Sequence, residues 1–173
     1  METKNEGNVS IMKDEIIKAS IESLKTEGLK FSVDMLAEKL KISKKTIYKY
    51  FSSKEALARA IYESYYNNAE YEIGKILSQA DYKIEKLLWI YYDSQAMTDH
   101  GIFNKYNLND VIRKYAFARH FHIWEKISEC IGSGKTESEL DALEIIVDGT
   151  LKELTGSRVK PELVIEKLVK ILC

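Results

Sequence analysis

Along most of this chain apolar residues return every third or fourth position, the spacing that lines one face of a helix. Ile17, Ile21 and Leu24 keep that period, and the run stops at Gly28, a residue suited to the position just past a helix end; this predicts a helix over residues 11–27. Ser32 is placed to cap a second, short helix with Asp34 in its first turn and Val33, Leu36, Ala37 and Leu40 on one stripe. Ser43 does the same for a third helix over residues 44–51. Ser52 and Glu55 have the spacing of a capping box, which predicts that a fourth helix starts there and runs to residue 78. Further helices are predicted over residues 83–98, 102–107, 109–131, 137–155 and 161–172. Thr136 and Glu139 repeat the capping box, Pro161 suits a first helical turn, and "GSGK" at 132–135 is the clearest break in the second half. The fold class is all-α.

The third helix has an unusual face. At about 100° per residue, Ile47 and Phe51 fall together on one side, while Lys49, flanked by Lys45 and Thr46, lies opposite. Tyr48 and Tyr50 take the two shoulders, and Lys44 can splay past the helix end. So short a helix is marginal alone. Ala37, Leu40, Ile42 and Ile47 supply the small-plus-aliphatic spacing by which the preceding helix can hold it through a tight turn, a helix-turn-helix. A cationic ridge of this width fits the major groove of B-DNA, where lysine donates to guanine O6 and N7 and a threonine methyl meets a thymine methyl. The competing reading is a lysine-rich solvated face on a bundle, which does not explain why the cap, the turn and the flanking tyrosines coincide. Lys54 stands at the start of the fourth helix, where unpaired N–H groups and the helix dipole favour an anion, and is read as a phosphate clamp.

Composition changes this picture at one point. The chain has 173 residues, 45% hydrophobic, with one Pro and eight Gly, which favours helices over a turn-rich β fold. A net charge of −1 argues at first against a nucleic-acid partner, but between Lys41 and Arg59 six cations are opposed by Glu55 alone. "METKNEGNVS" has no apolar leader and the longest apolar run, "LLWIYY" at 87–92, is too short to span a bilayer; a cytoplasmic protein with no membrane partner is expected. Cys130 and Cys173 are far apart with no C-x-x-C spacing, which suggests neither a zinc site nor a disulfide framework. No paired nucleophile and base, phosphate-binding glycine loop or metal-ligand spacing is visible, so no enzyme, metal or cofactor is expected.

Residues 11–62, and above all "FSVDMLAEKLKISKKTIYKYFSSKEALARAIYE", resemble the DNA-binding domain of the TetR family of transcriptional regulators. The resemblance implies a dimeric repressor that binds double-stranded operator DNA through three amino-terminal helices and is released by a small-molecule inducer held in a divergent helical remainder. It divides the chain into a flexible arm at 1–10, a helix-turn-helix domain at 11–53 and a ligand-binding and dimerisation domain at 54–173. Carried over by position, Lys44, Lys45 and Thr46 would read bases, and Ser43, Tyr48, Lys49, Tyr50 and Lys54 would hold phosphates. Lys41 departs from the family, which commonly has Gly in the turn at a position that often needs positive φ, at a cost of roughly 1 kcal/mol to a lysine.

From Tyr62 onward the balance is acidic, 14 basic residues against 18 acidic, and aromatics are dense. Phe117, Phe121 and Trp124 form an i, i+4, i+7 stripe, which as a bare pattern reads as core packing; the family resemblance implies that this helix borders a ligand cavity and makes that reading equal, with Tyr65, Trp89 and Tyr92 as further candidates for a pocket taking a small apolar or aromatic ligand. His120 and His122 point to different sides of a helix and so do not share a metal. Asp93 and Asp148 fall on mainly apolar helices, as edge residues or as pocket acids. Leu140, Leu143, Val147, Leu151 and Leu154 make one seam, and Val164, Leu168 and Ile171 a second; the expectation is a homodimer through a four-helix bundle, the alternative that both seams serve the monomer core. A different function class is an adaptor on DNA whose second domain binds a protein partner.

Overall fold

Eight helices account for most of the residues described by the computed structural model, which are 3–28, 31–79, 84–98, 102–104, 108–154 and 157–173, with side chains from residue 10 on. They are α1 (Thr3–Glu27), α2 (Val33–Lys39), α3 (Lys44–Tyr50), α4 (Lys54–Leu77), α5 (Ile84–Met97), α6 (Asp110–Ile131), α7 (Glu137–Leu154) and α8 (Pro161–Leu172). Residues 102–104 are also helical, and the rest of the helix expected to 107 lies outside the described residues. Among the described residues there is no strand, and no helix is long and apolar enough to cross a membrane.

Local chemistry sets most of the boundaries. Gly28, at φ 51, ends α1, and its carbonyl accepts from Phe31 N at 3.1 Å. The side chains of Ser32 and Ser43 accept from Met35 N and Thr46 N at 3.2 and 3.0 Å, each satisfying a donor that the helix cannot. Thr136 and Glu139 form the reciprocal box: Glu139 Oε2 accepts from Thr136 N at 2.7 Å while Thr136 Oγ1 accepts from Glu139 N at 3.3 Å. Pro161 opens α8. Two starts differ from expectation. α1 begins at Thr3, so residues 3–10 are helical backbone rather than an arm. The cap of α4 is Ser53, not Ser52: Ser53 Oγ accepts from Ala56 N at 3.1 Å, and Glu55 instead accepts from Asn109 Nδ2 at 3.3 Å. Two adjacent serines offer the same chemistry, and the backbone register chooses between them.

The chain divides into two compact units. The first is Met1–Asn67 with Asp99–Tyr115, and the second Asn68–Thr98 with Ala116–Cys173. In the first, α1, α2 and α3 pack on one another around Ile16, Leu24, Leu36, Ala37, Ile47 and Phe51. This unit runs past residue 53 because Leu57, Ala58, Ile61 and Tyr62 of α4 are buried in it. With Leu24, Phe31, Val33, Ile102 and Leu108 they line a small apolar cavity of about 40 Å³. In the second unit α5 packs against both α7 and α8 around Leu87, Leu88, Tyr91, Met97, Val147, Leu151, Ile165 and Leu168. Burial of each such large side chain contributes about 1.5–3 kcal/mol.

Candidate nucleic-acid interface

The turn between α2 and α3 is built to a definite hydrogen-bond pattern. Ile42 N donates to Ala37 O and Lys41 N to Glu38 O, both at 3.0 Å, the paired 6→1 and 5→2 bonds of a Schellman motif. That motif needs a left-handed residue at its centre, and Lys41 has φ 54. The strain anticipated from its sequence position is therefore present, in a non-glycine residue, at a point where the backbone bonds on both sides hold it.

The turn delivers α3 with a fixed face inward. Ile47 and Phe51 are buried, and Lys13 Nζ covers the Phe51 ring at 5.6 Å from its centroid. Lys45 and Lys49 are exposed, while Thr46, Tyr48 and Tyr50 are half-buried on the flanks. The Thr46 hydroxyl shares a 2.8 Å hydrogen bond with Ser43 Oγ, which fixes its rotamer. Lys54, the first residue of α4, is exposed. Lys44 differs from its companions: its Nζ is 3.0 Å from Asp34 Oδ2, so it is tied back to the first turn of α2. The pair spans ten residues between two helices, a separation that no helical spacing rule would reveal.

The model of the family described as bacterial regulatory proteins, tetR family, matches residues 16–61. The amino-terminal domain is a TetR-family domain. Two solved structures share the fold over nearly the whole chain. A transcriptional regulator of the TetR/AcrR family from Thermobifida fusca YX-ER1 has a TM-score of 0.54 at 19% identity, over 93% of this chain and 96% of its own. FadR from Bacillus subtilis, solved in complex with stearoyl-CoA, has a TM-score of 0.55 at 20% identity, over 94% and 97%. No curated protein sequence matches the chain. The fold is thus that of TetR-type regulators, an amino-terminal helix-turn-helix followed by a helical second domain.

The ligand candidates are dispersed. Tyr65 belongs to the first unit, edge-on to Tyr66 at 4.9 Å with Lys25 Nζ 5.4 Å from its ring. The others belong to the second. Trp89 and Tyr92 are half-buried and meet edge to face at 5.9 Å, Trp124 is buried 6.0 Å from Tyr91, Phe117 is half-buried, and Phe121 is 50% exposed. The aromatic stripe on α6 therefore does not turn as one face into the interior.

Most of the expected dimer seam is core. Val147, Leu151, Leu154 and Leu168 are buried within the single chain and have no surface left for a partner, whereas Leu140, Leu143 and Val164 are half-buried. A second stripe on α7 faces outward instead: Ala142, Ile145, Ile146 and Gly149 are all exposed, with Ile145 at 74% and Ile146 at 44%. On α8, Leu163 at 52% and Ile171 at 56% are exposed as well. Both stripes have helical period, and the more strongly apolar of the two was taken by the core of the unit.

The second unit also holds a polar cluster that sequence spacing did not reveal. Ser94 Oγ is 2.8 Å from His120 Nδ1, and His120 Nε2 lies 3.6 Å from Asp148 Oδ1. Asp148 accepts from Tyr91 Oη at 3.2 Å and from Gln95 Nε2 at 2.5 Å. At 3.6 Å the histidine nitrogen is beyond hydrogen-bond reach, so that contact is electrostatic. His120 first, and then the bonds from Gln95 and Tyr91, hold the Asp148 carboxyl below the usual range, against the opposing effect of burial. Burial, with Asp148 and Glu144 nearby, pushes the Tyr91 phenol well above its ordinary value. The order Ser, His, Asp is that of a hydrolase, but Ser94 is fully buried and Tyr91 stacks on the His120 ring at 4.3 Å, so a substrate has no approach to the hydroxyl. The cluster is an interior polar network joining α5, α6 and α7. His122 is directed elsewhere, to Glu125 and Glu70, and among the described residues no group of three or more His, Cys, Asp or Glu could hold a metal ion.

Proposed function

We propose that the protein is a sequence-specific DNA-binding transcriptional regulator, a repressor that leaves a palindromic operator when a small apolar ligand binds its second unit. The observation that carries the DNA-binding part is the two-sided α3: Ile47 and Phe51 are buried while Lys45 and Lys49 stand exposed on the far side. Lys45, with the Thr46 methyl beside it, reads base edges; Lys49, Tyr48, Tyr50, Ser43 and Lys54 hold phosphates. Lys44 joins the base readers on leaving Asp34, an exchange made easy by the exposure of both partners.

Two copies are needed to read a palindrome. The outward stripe Ala142, Ile145, Ile146 and Gly149, with Leu163 and Ile171 of α8, is the surface for a second copy, because small residues at both ends of the stripe let helices approach closely. The same surface would serve the adaptor reading, in which a different protein covers it; purified chain that sediments as a monomer at micromolar concentration favours the adaptor. For the ligand, the support is the density of aromatic side chains in the second unit, Trp89 against Tyr92 and Tyr91 against Trp124 among them. The neighbouring FadR structure holds stearoyl-CoA, and a fatty-acyl compound is the first ligand to try.

The test is operator selection from random DNA followed by substitution. Lys45→Ala should cost about 1–3 kcal/mol at one base pair, whereas Lys54→Ala should weaken binding to every sequence and flatten the salt dependence by about one unit per site. Equal losses on cognate and random DNA for both variants would refute this division of roles.

A further inference from the structure

One open pocket of about 350 Å³ in the second unit is lined, among the described residues, by Ile84, Cys130, Ile131, Lys135, Leu172 and Cys173. Those six residues include both cysteines of the whole chain. Cys130 comes from the last turn of α6 and Cys173 caps α8, so the fold brings to one pocket two thiols that sequence spacing leaves unrelated. They are not joined in a disulfide. We propose that Cys130 and Cys173 form a reversible thiol–disulfide site whose reactant is a low-molecular-weight disulfide.

Exposure sets the order of events. Cys173 is exposed and Cys130 half-buried, so Cys173 meets the reagent. Its thiol gives up a proton and the sulfur attacks one sulfur of the small disulfide. That S–S bond breaks, the other half departs as a thiolate that takes up a proton, and a mixed disulfide remains on Cys173. Cys130 then loses its proton and attacks the Cys173 sulfur, forming the Cys130–Cys173 bond and expelling the second small thiol. Two electrons have passed from the protein to the reagent, and two small thiols are the products. Lys135, whose Nζ donates to Ile131 O at 2.8 Å, puts positive charge in the same lining while negative charge develops on the attacking and departing sulfurs. Closing the bridge needs Cα atoms within about 7 Å. Cys173 is joined to α8 by the bond from its N–H to Val169 O at 3.0 Å.

The experiment exposes the full chain to oxidised glutathione and analyses the intact mass and the unreduced peptides. Wild type should lose two hydrogens, yield a Cys130–Cys173 cross-linked peptide, keep no glutathione, and return to its starting mass with reduced thiol. Cys130→Ser and Cys130→Ala should both retain glutathione on Cys173, because the resolving thiol is gone. Cys173→Ser should react about tenfold more slowly, because its remaining thiol is half-buried. A lasting adduct on wild-type Cys173, a bridge between two copies, or no modification would each overturn the proposal. The inference concerns the thiols alone and stands or falls independently of DNA binding.

Discussion

Lys41 and Lys44 show how much a single residue can carry in the helix-turn-helix. Lys41 occupies the left-handed position of the Schellman turn at φ 54, where a Cβ meets the following carbonyl. Lys41→Gly removes that clash but adds entropy to the unfolded chain, so the net gain should be up to about 1 kcal/mol, while Lys41→Val should lose more than that. Urea unfolding of the three proteins gives the ranking, and a destabilised glycine variant would mean that the lysine side chain contributes contacts outweighing its backbone strain. Lys44 is restrained by Asp34 across an exposed 3.0 Å pair. Asp34→Asn should change stability by less than about 1 kcal/mol. It should raise affinity for cognate DNA more than for random DNA, as one more lysine becomes available to the base edges. Weaker binding would show instead that Asp34 positions Lys44 for its contact.

At the scale of the element, α7 is the clearest case of a helix specified at its start. Glu139 accepts from both the backbone N–H and the hydroxyl of Thr136, and these bonds, the backbone one first, hold its carboxyl below the usual range. A depressed folded-state value means that the contribution is fully present above the unfolded glutamate value, near pH 4.3. It is lost as the pH falls through the lower folded value. Glu139→Gln should therefore differ from wild type in thermal midpoint at neutral pH, and the difference should shrink at a pH below both values. A gap that stays constant across that window would assign the effect to shape and not to charge. The paired serines before α4 make the complementary point: Ser52 and Ser53 are chemically equivalent as caps, and only Ser53 accepts from the third N–H onward, Ala56 N.

For the molecule as a whole, the question is which apolar surface the proposed dimer uses. Ile145→Glu with Leu163→Glu should leave the helical content intact and give monomers in sedimentation, with operator binding reduced accordingly, since both side chains are exposed in the single chain and a glutamate there reaches water. Val147→Glu with Leu151→Glu should instead disrupt the second unit, because both side chains are fully buried and a charge there has no partner. Circular dichroism separates the two outcomes. If the Ile145 and Leu163 pair leaves the dimer unchanged, the face on α7 and α8 belongs to another partner.

Most of the helices, the caps at Ser32, Ser43 and Thr136 and the two-sided α3 were legible in the amino-acid order, whereas the cap of α4 was misplaced by one residue and the left-handed turn at Lys41 came from the family resemblance. Each depends on residues within a turn or two of one another: Ser43 reaches Thr46, Thr136 reaches Glu139, and Ile47 with Phe51 defines an inward face against Lys49. What the order of residues left open was the choice between equivalent local solutions and the meeting of distant ones. Two apolar stripes of the same period run along α7, and only packing against α5 and α8 decided that Val147 and Leu151 turn inward and Ile145 outward. Ser94, His120 and Asp148 sit on three different helices, as Cys130 and Cys173 sit at the ends of two, and their proximity is a property of how those helices cross. Periodicity reports which residues share a face, but a face acquires its meaning from what lies opposite, and that is fixed by long-range packing.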